Sequence, residues 1–351
     1  MAPDLAMRTR FASVDVLRGW AVVAMLLVNY PGSWEHVYAP LQHARWNGFT
    51  PTDLIFPAFL FVVGVSIALG LRPGTPPAKI GLRALRLVLL GLALHAVAMW
   101  AYDTPAFRPW GVLQRIGICY AAAALVALRL DGRGQWAIII GLLLGYWVLL
   151  APGGYEPLVN LASRIDAWML GPHAYRFDAD SGLGHDPEGL ASTLPAVAGT
   201  LIGVRAGVWL RERGLRFLIL MGLAMLALGG AWSLLIPLNK YLWTSSFVVF
   251  ASGWSLLLLA LCHALFDLRG WRPLGRSMGI NAITAYAGSW LMACLMQRLG
   301  LFDAIWSRGF EPLLAPLFGA QAASLSLALA FVAFWWLAMW AMARRGWKLG
   351  V

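Results

Sequence analysis

The residues best suited to chemistry stand where short polar segments meet long apolar runs. Asn29 ends "AVVAMLLVN", His43 follows in "LQHARWNG" with Trp46 and Asn47 beside it, and Asp53 opens the next apolar stretch. Further along, "RPWGVLQRIG" carries Gln114 and Arg115, "DPEG" carries Asp186 and Glu188, "IPLNKYLW" carries Asn239 and Lys240, and "GRSMGINAI" carries Asn281. An imidazole can take or give a proton near neutral pH, or accept an acyl group as a nucleophile and pass it on. His43 is therefore the leading catalytic candidate. Asn29 can orient it or stabilise an oxyanion, and Asp53, at a helix N-terminus, can cap that helix and back the histidine. The alternative is a loop histidine bonded only to backbone. Arg115 suits a bidentate grip on an anion, or a salt bridge at a helix end; Lys240 suits a ligand contact or an interfacial anchor.

The other histidines suit other roles. His95 and His263 lie within apolar stretches and suit interhelical hydrogen bonds, while His36, His173 and His185 lie in connecting loops. Cys119, Cys262 and Cys294 also sit in apolar runs, with no spacing that would hold a metal or form a disulfide. No P-loop, GxGxxG or HExxH motif is present.

The elements that position these residues must be membrane helices. Of the 351 residues 60% are hydrophobic and 12% charged, and stretches such as "AIIIGLLLGYWVLLA" are apolar on every face. That pattern predicts an all-α polytopic bundle, with one transmembrane domain occupying 1–351. At roughly 20 residues per crossing, ten spans fit, near 12–30, 52–71, 82–101, 110–128, 135–151, 190–207, 215–236, 245–266, 279–298 and 322–343. Arg8, Arg10 and Arg18 ahead of "GWAVVAMLLV" imitate a signal peptide, but no small-x-small site follows, so a retained first span is expected. Asp15 and Arg18, at i and i+3, can pair on one face of that span.

Charge orients the bundle. With both termini in the cytoplasm, cytoplasmic segments hold 19 of the 27 basic residues and 5 of the 16 acids. Every second connection is arginine-rich, as the positive-inside rule requires. The net +11 thus reflects membrane orientation, and no nucleic-acid partner is expected. Most of the 19 tryptophans fall near span ends, as in an aromatic belt. The same topology gathers Asn29, His43, Asp53, Gln114, Arg115, the "DPEG" loop, Asn239 and Lys240 at the outer face.

Six segments in order, "SVDVLRGWAVVAMLLVNYPG", "HARWNGFTPTDLIFPAFLFVVGVSI", "RPWGVLQRIGICY", "DPEGLASTLPAVAGTLIGVRAG", "LIPLNKYLWTSSFVVFASG" and "LGRSMGINAITAY", resemble the heparan-alpha-glucosaminide N-acetyltransferase family. The likeness runs from the first span to the ninth and is to the short bacterial members, associated with amino-sugar and chitin use, without the large luminal extension of the animal lysosomal enzyme. It implies transfer of acetyl from cytosolic acetyl-CoA to a glucosamine amine across the bacterial inner membrane, in a homodimer. It also implies that His43 and Asn29 are the catalytic pair and that the other motif residues line the pocket. The acceptor would be an amino sugar or oligosaccharide, and the "HARWNG" histidine would act either as acetyl acceptor or as general base. A sugar transporter, or an O-acyltransferase acting on a glycan or lipid hydroxyl, are the alternative readings of such a bundle.

Overall fold

The computed structural model describes residues 11–348; Arg8 and Arg10, counted above among the cytoplasmic charges, lie outside that range. Its long helices are α1 (Ala12–Asn29), α2 (Ile55–Gly70), α3 (Pro77–Tyr102), α4 (Val112–Arg129) and α5 (Gly132–Leu150). A short α6 (Leu161–Leu170) and a two-stranded hairpin, β1 (Arg176–Asp178) and β2 (Leu183–His185), fill the long loop that follows. Then come α7 (Thr193–Glu212), α8 (Gly214–Trp232), α9 (Ser245–Cys262), α10 (Arg276–Ile280) and α11 (Ala282–Arg298). After α12 (Leu301–Ile305) and α13 (Glu311–Phe318), α14 (Ala320–Arg344) returns across the bundle.

Among the described residues nine helices are long and apolar enough to cross a membrane. The expected ninth span, 279–298, is α11, a helix of 17 residues that follows the short α10 and is the one of the ten expected spans not among those nine, so the polytopic all-α bundle stands. The third span begins earlier than expected, at Pro77, and runs 26 residues. Hydropathy excluded its first turn because of Lys79. A proline preset to helical φ can nevertheless start a helix in water and extend it beyond the apolar slab.

Centrality follows side-chain size. The most enclosed span is α7, which packs along α2. A β-carbon at Gly64 would overlap the backbone of Thr200, and one at Gly203 would overlap the backbone of Phe61. Glycine is required at this crossing because in lipid, where burial of apolar surface drives little, close backbone approach supplies the packing energy. Asp15 and Arg18 pair as expected, at 3.5 Å, and Arg276 approaches the same carboxylate at 3.7 Å.

The connections 30–54, 103–111, 151–192 and 233–244 meet at one end. Gly48 N donates to Leu238 O at 2.7 Å, His173 Nδ1 bonds Phe107 O at 2.7 Å, and Trp46 Nε1 donates to Tyr155 O at 2.7 Å. The arginine-rich connections lie at the other end. Charge orientation therefore predicts that, in intact cells, a membrane-impermeant maleimide labels Ser181→Cys but labels Arg133→Cys only after permeabilisation; the reverse pattern would invert the topology.

Candidate active site

The turn entering α2 carries the first half of the site. Pro51 and the Thr50–Asp53 capping box start the helix, so Asp53 Oδ2 accepts from Thr50 N at 2.9 Å and from Thr50 Oγ1 at 3.2 Å. The same oxygen accepts from Ala44 N at 3.0 Å, while Oδ1 lies 2.6 Å from His43 Nδ1. Asp53 is fully buried whereas the His43 side chain is 39% exposed. A buried carboxylate must be met by donors, and here every donor comes from residues 43–50. The carboxylate holds the Nδ1–H tautomer and leaves Nε2, which has no hydrogen-bond partner among the described residues, for a substrate. Asn29 ends α1, against which the 51–54 turn packs, and its amide makes no hydrogen bond among the described residues.

The His43 loop is docked on the loop between α8 and α9. Asn239 Nδ2 donates to Asn47 Oδ1 at 3.0 Å, and Trp46 stacks on Tyr241 with ring centres 5.4 Å apart. Trp46 also meets His185 edge-on at 5.4 Å. Lys240 lies at this junction, buried, with its ammonium 5.3 Å from the Tyr241 ring centre. Burial lowers its pKa, and the nearby Glu188 and Asp53 carboxylates only partly oppose that.

The third component is the "DPEG" loop. Arg108 grips Asp186 bidentately, Nε to Oδ2 at 2.9 Å and Nη2 to Oδ1 at 2.5 Å, and reaches Glu188 at 2.7 Å. Burial raises the Glu188 pKa, but Arg108, Lys240 and Arg115 outweigh it and hold the carboxyl below its usual range. Arg115, fully buried, donates through Nη2 to Gly189 O at 2.9 Å and to Ser192 Oγ, and lies 5.0 Å above the Trp243 ring. Its Nε and Nη1 are buried without partners. Trp243 has φ 55°, a left-handed conformation that costs a residue with a β-carbon about 1–2 kcal/mol. Such strain persists only where the surroundings over-determine it.

Beneath these loops two neighbouring spaces lie between the helices. At the arginine-rich end a cavity of about 570 Å³ is lined by Arg18, Arg72, Lys79 and Arg83 with an apolar inner wall. A void of about 10 Å³ shares Phe59, Leu113, Ile116 and Ile283 with that wall and continues past Met25, Phe56, Val112 and Tyr286. Phe56 is one turn from Asp53 and Met25 one turn from Asn29, so this void ends beneath the histidine site.

The model of the heparan-alpha-glucosaminide N-acetyltransferase catalytic family matches residues 10–245. The chain belongs to that family. It is 29% identical to the human heparan-alpha-glucosaminide N-acetyltransferase over 81% of this chain and 53% of the human one. To the mouse enzyme it is 28% identical over 80% and 53%. This family member thus spans about half the length of the curated relatives it matches.

Of the candidate residues, the fold joins His43, Asp53, Trp46, Asn47, Asn239, Lys240, Asp186, Glu188 and Arg115 through the contacts above. Gln114, buried beside Arg115 in the first turn of α4, bonds Pro109 O through Nε2 at 3.2 Å and has its Oε1 without a partner. Asn281 is at the opposite end, between the cavity-lining Ile280 and Ala282, and donates to Trp347 O at 3.3 Å. His263 bonds Asp267 of its own helix, and Asp267 in turn accepts from Ser13 N of α1. His95 bonds the carbonyl of Arg108 at 2.6 Å, supporting the loop that carries it. Gly275–Gly279 has G-x-S-x-G spacing but forms α10, where Ser277 makes no side-chain hydrogen bond among the described residues.

Sequence reasoning passed over three members of the network. Arg108 and His185 lacked any local signal, because their partners are 78 and 22 residues away in the chain. His185 is buried, bonded to Ser163 through Nδ1, and its Nε2 has no partner; burial pushes its pKa down to about 4. Asp166, the third, touches Gly189 so closely that a β-carbon there would overlap its carboxylate.

Burial pushes the Asp166 carboxyl up to about 7, although Leu190 N donates to it. The native state therefore holds that proton more tightly than the unfolded chain between about pH 4 and 7, so the contribution of Asp166 to stability falls as pH rises through that window, while that of the buried His185 rises. Asp166→Asn retains an acceptor for Leu190 N and removes the ionisation. Between about pH 4 and 7 the thermal midpoint in detergent is expected to rise more, or fall less, with increasing pH for this variant than for the unaltered protein; equal slopes would contradict the assignment.

Proposed function

We propose that the chain is a membrane-embedded N-acetyltransferase of the bacterial inner membrane, moving acetyl from acetyl-CoA to the amine of a glucosamine-type sugar. The observation that carries this reading is the His43–Asp53 pair at one end of the bundle, with a basic cavity at the other and a small apolar void sharing that cavity's inner wall between them. Family membership supports it, as do the matched relatives, which bear the name heparan-alpha-glucosaminide N-acetyltransferase.

The donor fits the cavity by chemistry. Arg18, Arg72, Lys79 and Arg83 offer cations to the phosphates of the coenzyme, and Phe59, Leu113 and Ile116 offer an apolar wall to its arm. The thioester leads by way of that void toward His43. Nδ1 donates to Asp53, so Nε2 presents its lone pair. That nitrogen either attacks the carbonyl carbon, forming an N–C bond as the C–S bond breaks, or takes the proton of the sugar ammonium so that the amine attacks directly. In the first route coenzyme A leaves as its thiolate, the amine then attacks the acetyl-imidazole, and Nε2 takes the amine's proton as its bond to the acyl carbon breaks; in the second, Nε2 takes the ammonium's first proton and the thiolate leaving group takes the second as the amide forms. The developing oxyanion meets the Asn29 amide. On the acceptor side, Trp46 and Tyr241 provide aromatic faces for a sugar ring, and the Arg108–Asp186–Glu188 cluster holds the loop beside them.

Three measurements test the reading. His43→Ala should abolish acetylation of glucosamine by membranes lacking a proton gradient; full turnover in the variant would refute it, and a transporter would transfer no acetyl at all. Asp53→Asn should lower kcat by about 10²-fold or more while leaving KM for both substrates near its value, because it removes the acceptor that fixes the imidazole. Incubation with labelled acetyl-CoA and no sugar separates the routes. Label retained on His43 supports an acetyl-histidine intermediate, and its absence in an active protein supports direct transfer.

A further inference from the structure

The geometry points to the small void against the basic cavity's inner wall as the compartment that sets which acyl groups the protein transfers, with Met25, Phe56, Val112 and Tyr286 as its specificity-determining walls. This rests on the acyl-CoA transfer reading. The wide cavity at the arginine-rich end, about 570 Å³, has room to spare around a pantetheine arm and cannot discriminate by acyl size. A separate void of about 10 Å³, room for one water-sized group, shares Phe59, Leu113, Ile116 and Ile283 with the wall of that cavity. The acyl group is the leading end of the donor, so this is where it arrives.

Two features make the limit rigid. Phe56 is 9% exposed and meets Trp243 edge-on at 5.3 Å, and Trp243 is 2% exposed, braced by Phe247 at 5.9 Å and by the Arg115 guanidinium. Tyr286, 8% exposed, closes the opposite side. Packed interiors yield little to one extra methylene. Each methylene added beyond acetyl must therefore displace more of these walls. The transfer step is the same for any acyl donor: the C–S bond breaks, the N–C bond forms, and His43 takes a proton from the sugar nitrogen.

The test compares acetyl-CoA with propionyl-CoA and butyryl-CoA, using the purified full chain in lipid nanodiscs and methyl β-glucosaminide as acceptor, with kcat/KM read for each donor. Met25→Ala and Val112→Ala are expected to raise the propionyl-to-acetyl ratio by roughly 10-fold or more, the scale at which a pocket discriminates one methylene. The lipid-facing Leu220→Ala should leave the ratio unchanged. Two wall substitutions guard against one failing to fold. A ratio unmoved in a variant that still acetylates overturns the proposal and leaves the acetyltransferase reading intact. Absence of acetyl transfer by the unaltered chain overturns both.

Discussion

A carboxylate with no access to water, at the mouth of a membrane helix, is the constraint around which the site is organised. Leaving one of its acceptor positions unmet would cost about 1–3 kcal/mol. Asp53 avoids this by drawing Ala44 N, Thr50 N, Thr50 Oγ1 and the His43 ring onto its two oxygens. Start of helix, shape of loop and tautomer of histidine are thus one interaction. Its rigidity passes outward, since the loop so fixed offers Trp46, Asn47 and Gly48 to the α8–α9 connection.

Charge burial is balanced on a larger scale in the same region. Arg108, Arg115 and Lys240 bring three cations out of water, and Asp53, Asp186 and Glu188 bring three anions. Isolated charges would be prohibitive there, and only pairing makes the cluster tenable. Arg108 satisfies two acids at once, which leaves Arg115 and Lys240 short of partners. That imbalance gives the site cationic donors not consumed by structure. The left-handed Trp243 lies among them, so backbone strain and unsatisfied charge coincide, as they do at working sites generally.

Much of this was legible in the chain because a bilayer imposes simple rules. Hydropathy located the spans to within a few residues at most ends, since backbone groups in lipid must be bonded within a helix. Where it failed, the reason is local. Pro77 starts α3 in water ahead of its apolar part, and α11 falls one residue short of the shortest of the nine crossing helices. The alternation of arginine-rich connections put His43, Asp53, Lys240 and Glu188 on one face, which required only counting crossings. Arg108 and His185 escaped because nothing near them in sequence marks them: one is defined by the acids it meets, the other by the rings that enclose it.

The sequence by itself determined the helical class, the order of crossings, the end at which the polar motifs gather, and the kinship carried by those motifs. All of these follow from rules that act residue by residue or segment by segment: transfer into lipid, helical period, charge bias and motif spacing. Tertiary structure alone decided which nitrogen of His43 is free, that Asp186 and Glu188 share one arginine, that Asn281 lies at the far end against Trp347, and that the basic cavity and the small apolar void share a wall. Those properties depend on distances between side chains remote in the chain, and such distances exist only once the helices have packed.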